Sequence, residues 1–168
     1  MKGSGIFGKL LTAVATLGPL GTRMPAPGTW GSGAGLLFYA VVLYRFNNME
    51  HWATFFAWNV ILIAAAIGIC TVAEKHLAKK DPGEVIFDEF VAMPLVYIGA
   101  ESFLRTTSGW IWFFAGFVLF RLFDVLKPLG IKKLQDWPGG LGIVVDDVVA
   151  AFASCLVLHV AHWIVLLF

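Results

Sequence analysis

Residues 52–73, WATFFAWNVILIAAAIGICTVA, run for 22 positions without a charged side chain. A helix needs about 20 predominantly apolar residues to cross a hydrocarbon core about 30 Å thick, so this stretch predicts a membrane-spanning helix. The remainder reads the same way. Of 168 residues, 59% are hydrophobic and 14% charged, against roughly 25% charged in an ordinary soluble domain. Mean hydropathy is +0.81. The chain lacks the polar surface to dissolve, and residues 1–168 read as a single integral-membrane domain. A net charge of +1, with no basic stripe, gives no sign of a nucleic-acid partner. Cys70 and Cys155 both lie in apolar runs, which excludes a disulfide scaffold and a zinc site.

Working outward, Met24–Tyr44 and Val148–Phe168 are also free of charge. Two shorter candidates, Phe90–Ala100 and Thr106–Phe120, flank a small loop carrying Glu101 and Arg105. The expectation is an all-α, polytopic helix bundle of about five spans. The segment Gly5–Gly21, with Lys9 beside a short apolar run, predicts an N-terminal amphipathic helix at the membrane surface. With the N-terminus placed in the cytoplasm, Lys2, Lys9, Arg23, Lys75, Lys79, Lys80, Arg121, Lys127, Lys132 and Lys133 fall inside, and only Arg45 and Arg105 outside. Ten against two is the asymmetry expected of cytoplasmic loops.

The acids follow the same topology. Asp88 and Glu89 open the third expected span, Asp124 closes the fourth, and Asp146 and Asp147 open the fifth. Five carboxylates from three helix ends therefore meet at the cytoplasmic face. Capping explains acids at a helix N-terminus, but Asp124 is expected near a C-terminus, where negative charge is unfavourable. Carboxylates so crowded repel one another unless a cation shares the site, and hard oxygen ligands favour Mg²⁺ completed by water and substrate phosphate. Asp88, Glu89, Asp124, Asp146 and Asp147 are the expected metal ligands. Arg121, Asp124 and Lys127 recur at helical spacing and share a face, which places two cations where phosphate oxygens would sit. The turn Pro27-Gly28-Thr29-Trp30-Gly31-Ser32-Gly33 precedes an apolar run. It reads equally as an anion site using Thr29 and Ser32 or as glycines for close helix packing.

Four motifs in order carry a resemblance: Pro27-Gly28-Thr29-x-Gly31-Ser32, Asp88-Glu89-Phe90, Phe120-Arg121-x-Phe123-Asp124-x-x-Lys127-Pro128, and Gly139-Gly140-x-Gly142-Ile143-x-x-Asp146-Asp147. Together they resemble the bacterial phosphatidylglycerophosphatase A family, from about Gly21 to Ala153. The resemblance implies an Mg²⁺-dependent inner-membrane enzyme that removes the terminal phosphate of phosphatidylglycerol phosphate. In that chemistry the carboxylates hold the metal, Glu89 is the expected general base, Arg121 and Lys127 bind phosphate oxygens, and Thr29 and Ser32 add neutral donors. A small cation transporter using the same carboxylates is the rival from another class. Transport sites, however, favour broken helices of repeated halves near the midplane, and this sequence shows no internal repeat.

Overall fold

The computed structural model describes residues 5–128 and 130–168; Lys2, counted among the inner basic residues, lies outside them. All regular structure among the described residues is helical. Helix α1 covers Ile6–Ala15, α2 Pro19–Arg23, α3 Pro27–Phe38, α4 Trp52–Leu77, α5 Phe87–Ala92, α6 Glu101–Leu104, α7 Gly109–Leu126 and α8 Gly140–Leu166. Three of these, α4, α7 and α8, are long and apolar enough to cross a membrane. At 1.5 Å per residue, their 26, 18 and 27 residues extend about 39, 27 and 40 Å. Helix α8 packs against both α4 and α7.

Three spans replace the five expected, and each difference has a local cause. In Phe90–Ala100 the α-helix stops at Ala92 and tightens into a 3₁₀ segment over Met93–Tyr97. Pro94 has no N–H to return to the carbonyl of Phe90, so the α pattern cannot continue. The freed Phe90 oxygen lies against Gly35 of α3, where a Cβ would come within 2.5 Å of it. The chain then reverses at Gly99 (φ +70) into the four-residue α6. Met93 to Tyr97 are all buried, so this segment is a wedge inside the bundle rather than a span.

Met24–Tyr44 also departs from a continuous α-helix. Helix α3 starts at Pro27, whose missing N–H costs nothing at a first turn. After Phe38 the backbone widens into a π turn, Tyr39–Leu43, then tightens to 3₁₀ over Tyr44–Phe46. The cause is an anchor at each end of the stretch. The Tyr39 ring is fully buried and stacks on Tyr97 with centroids 4.7 Å apart. Asn47, 5% exposed, donates to the Tyr39 hydroxyl (2.7 Å) and to the Tyr97 carbonyl, and accepts from the Gly99 N–H. The π turn absorbs an extra residue between those two fixed points.

Helix α1 buries Gly8 and Ala15, packs on α4, and leaves Ile6, Phe7, Leu10 and Val14 exposed along one side. The larger core joins Tyr39, Phe55, Tyr97, Phe103, Phe120 and Leu158 at the α6 end. A second, built on small residues Ala15, Ala66, Cys70 and Ala73 with Val91, Ile143 and Val144, lies under α1.

The α3–α5 contact yields a prediction. A methyl at Gly35 would meet the Phe90 carbonyl at 2.5 Å and Met93 Cβ at 2.8 Å, two groups fixed by the Pro94 break. Gly35→Ala should therefore cost about 1–3 kcal/mol, as overpacking does. Thermal unfolding in detergent reads this as a lowered Tm; an unchanged Tm would refute the close approach.

Candidate active site

The N-terminus of α5, the C-terminus of α7 and the first turns of α8 converge at one end of the bundle, with the start of α3 alongside. Their side chains include all five predicted carboxylates and both predicted cations. Asp88 is 5% exposed, Asp124 8%, Asp146 1% and Asp147 3%. Such burial costs several kcal/mol per ionised group unless partners compensate.

Partners are shared unequally. Arg121 Nη1 donates to Asp124 Oδ2 at 2.5 Å and to Ser32 Oγ at 3.2 Å, with Glu89 Oε1 3.9 Å away. Lys127 Nζ pairs with Asp146 Oδ2 and lies 3.7 Å from Asp124 Oδ1. Asp124 thus bridges the two cations, which offsets its unfavourable position at the end of α7. Lys127 reaches this arrangement from a left-handed backbone conformation, φ +42, at a cost of roughly 1–2 kcal/mol for a residue with a Cβ. Local strain of this kind persists where surrounding structure over-determines it.

The other three acids face one another. Asp88, Glu89 and Asp147 each bring a carboxylate oxygen to within 4.8 Å of the others. Asp88 Oδ1, Glu89 Oε2 and Asp146 Oδ1 are buried without a hydrogen-bond partner. Burial first, then the charges of Glu89 and Asp147, push the Asp88 carboxyl well above the usual range. Burial also raises Glu89, to about 7, against the lowering effects of Asp88 and Arg121. Burial alone would lower Lys127, but Asp147, Asp146 and Asp124 outweigh it and raise the ammonium above its ordinary value. Unpaired buried oxygens on Asp88 and Glu89, with a carboxylate oxygen of Asp147 within 4.8 Å of theirs, fit a hard divalent cation.

The glycine-rich turn resolves between its two readings. A Cβ on Gly28 would collide with the Glu89 carboxylate and press on the Arg121 guanidinium; one on Gly31 would meet the Ile86 carbonyl at 2.7 Å. The glycines therefore bring α3 onto α5 and seat Glu89 beside the start of α3, where the helix dipole favours a negative charge. Ser32 joins the site, but its hydroxyl proton goes to the Gly28 carbonyl at 2.8 Å and its oxygen accepts from Arg121. It orients the guanidinium. Thr29 is exposed at the rim. The steric roles of Gly28 and Gly31 were hidden in the sequence, because nothing there says which carboxylate crosses them.

A membrane-embedded helical bundle with carboxylates and two cations gathered at one end is the class that fold and site define. Residues 13–162 match the family profile described as phosphatidylglycerophosphatase A. A phosphatidylglycerophosphatase A from Haemophilus influenzae is 32% identical over 141 residues, covering 83% of this chain and 81% of the relative. Its Escherichia coli namesake is 31% identical over 146 residues, covering 82% and 76%. A Bacteroides thetaiotaomicron protein named as a candidate phosphatidylinositol-3-phosphatase is 30% identical over 141 residues, covering 83% and 86%. No solved structure matches the chain. The chain belongs to the phosphatidylglycerophosphatase A family.

The bridge made by Asp124 generates a prediction. Asp124→Asn keeps the shape but leaves Arg121 and Lys127 short of a buried counter-charge. It should lower stability by about 1.5–3 kcal/mol, the scale of a charged hydrogen bond, and reduce phosphate release. A melting curve in detergent paired with a turnover assay checks both; wild-type values in each would remove Asp124 from the site.

Proposed function

We propose that the protein hydrolyses the terminal phosphate monoester of phosphatidylglycerol phosphate to phosphatidylglycerol and inorganic phosphate, using Mg²⁺, at the cytoplasmic face of the bacterial inner membrane. The supporting observation is the division of the five carboxylates, in a chain of this family: Asp124 and Asp146 hold Arg121 and Lys127, Glu89 reaches Arg121 only at 3.9 Å, and Asp88 and Asp147 face it without an ion pair of their own. Asp88, Glu89 and Asp147 would hold the ion; the bound ion would neutralise phosphoryl oxygens and acidify water.

The residues themselves account for the rest. Arg121 and Lys127 bind the non-bridging phosphate oxygens, and Asp124 and Ser32 keep them oriented. Preset charges of this kind favour the transition state without reorganisation. Glu89, whose longer side chain can leave the metal shell, takes the proton of the attacking water as the new P–O bond forms. That proton passes to the glycerol oxygen as its bond to phosphorus breaks. Thr29, at the rim, is available to the headgroup. The exposed apolar side of α1 would lie in the membrane interface, and the acyl chains would stay in the bilayer.

The test is phosphate release by the purified protein in detergent from phosphatidylglycerol phosphate, phosphatidic acid and phosphatidylinositol 3-phosphate. Release should be fastest from the first and should stop in excess EDTA. Turnover that persists in EDTA refutes the metal, and preference for another lipid refutes the substrate. Orientation is checked separately. Trp137, 45% exposed, lies in the loop before α8, so Trp137→Cys in a Cys-free background should resist a membrane-impermeant thiol reagent applied from outside. Ready labelling there would overturn the cytoplasmic placement.

A further inference from the structure

Helix α8 carries Asp146 and Asp147 but caps itself with nothing. Its N-cap is Gly139, at φ +60 and ψ −153 with no side-chain cap, a conformation essentially limited to glycine. The first N–H of the helix, on buried Gly140, is taken by a different helix. Gly140 N–H donates to Thr71 Oγ1 of α4 at 2.8 Å, and Thr71 Oγ1 donates in turn to the Ile67 carbonyl at 2.6 Å. The fit around this bond is tight. A Cβ on Gly140 would overlap the Ile67 carbonyl and come within 2.6 Å of Thr71 N; one on Gly139 would sit 3.2 Å from Thr71 Oγ1 and Cγ2. The head of α8 is therefore seated on a single turn of α4, Ile67 to Thr71.

That seat fixes the register of the acids. Asp146 and Asp147 follow Gly140 by six and seven residues, about 9 and 10.5 Å along the helix. A slip of one residue would move them about 1.5 Å and turn them about 100°, carrying Asp147 away from Asp88 and Glu89. We infer that Thr71 is a positioning residue for the carboxylate cluster: its hydroxyl, acting through the Gly140 N–H, sets the register of α8 and so preorganises Asp147 toward Asp88 and Glu89. This rests on the proposal that those three residues hold a divalent cation. Without the hydroxyl, the cation-free head of α8 relaxes, and binding must restore the register.

The experiment titrates Mn²⁺ into the full chain in detergent, following free Mn²⁺ by electron paramagnetic resonance, beside melting curves of the metal-free protein. Thr71→Val keeps the shape and removes the hydroxyl. It should weaken Mn²⁺ binding about fivefold, the value of one helix cap, with a metal-free Tm near wild type. Thr71→Ser retains the hydroxyl and should bind as wild type does. Thr71→Ala, which removes the hydroxyl without the bulk of valine, carries the same expectation as valine and replaces it if that variant does not fold. Asp147→Asn should bind far more weakly than any of them. Wild-type affinity in Thr71→Val, or a serine variant as weak as the valine one, overturns the role of Thr71 while leaving the site intact. Wild-type affinity in Asp147→Asn overturns the metal proposal itself, and the Thr71 inference with it.

Discussion

Five carboxylates and two cations share one buried end of an apolar bundle, and the rest of the structure depends on how that imbalance is held. Each ionised group taken out of water costs several kcal/mol, so every favourable pairing is used. Asp124 takes Arg121 and reaches toward Lys127, and Asp146 takes Lys127. Among the described residues no cation lies within pairing distance of Asp88 or Asp147, and Glu89 has only the distant edge of Arg121 at 3.9 Å. Protons can satisfy such a cluster, as the raised Asp88 and Glu89 carboxyls show. A divalent cation satisfies it better, since one ion answers several oxygens. The residual negative charge is therefore the property that the surrounding backbone is arranged to concentrate.

Glycine performs that arrangement at two places. On α3, Gly28 and Gly31 let the helix lie on the Glu89 carboxylate and the Ile86 carbonyl. On α8, Gly140 lets the helix start against the α4 backbone. On α3 the missing Cβ brings a helix N-terminus close to Glu89, where the partial positive charge of its N–H groups favours the carboxylate; on α8 it seats the helix on α4 and so sets where Asp146 and Asp147 lie. The break at Pro94 serves the same end. It stops α5 after six residues, so Asp88 and Glu89 sit on a short helix that can be wedged between α3 and α8 rather than aligned with the long spans.

Much of this was legible in the sequence. The charge-free run around α4 and the apolar stretches of α7 and α8 declared themselves by length. The doubled acids and the Arg121–Asp124–Lys127 spacing pointed to one end of the bundle, and there the structure brings their side chains together. The failed expectations concern Phe90–Ala100 and Met24–Tyr44, where hydropathy was taken as evidence of crossing. Pro94 was visible, but apolar residues buried inside a bundle and apolar residues facing lipid have the same hydropathy. Only the packing of Tyr39 on Tyr97, and the three-way bonding of Asn47, distinguish them. Thr71 was illegible for a related reason. A threonine inside a spanning helix usually returns its proton to its own backbone, as this one does to Ile67, and nothing local reveals that its oxygen also receives a second helix.

The two ends of the bundle divide the work of stability and function. At the α6 end, His162 stacks on Phe103, His159 lies on the Ile98 carbonyl at 2.8 Å, and Tyr97 donates to the Phe113 carbonyl. Aromatic area and these hydrogen bonds hold the spans there without a buried charge among the described residues. At the other end, Lys127 is held in a strained backbone state, and three buried carboxylate oxygens, from Asp88, Glu89 and Asp146, have no partner. Either defect alone would be selected against in a purely structural helix end, because each lowers stability and neither improves packing. Their coexistence beside two oriented cations is the feature on which the proposed metal-dependent phosphatase chemistry rests. The aromatic end supplies stability that offsets the buried, unpaired oxygens of the charged end.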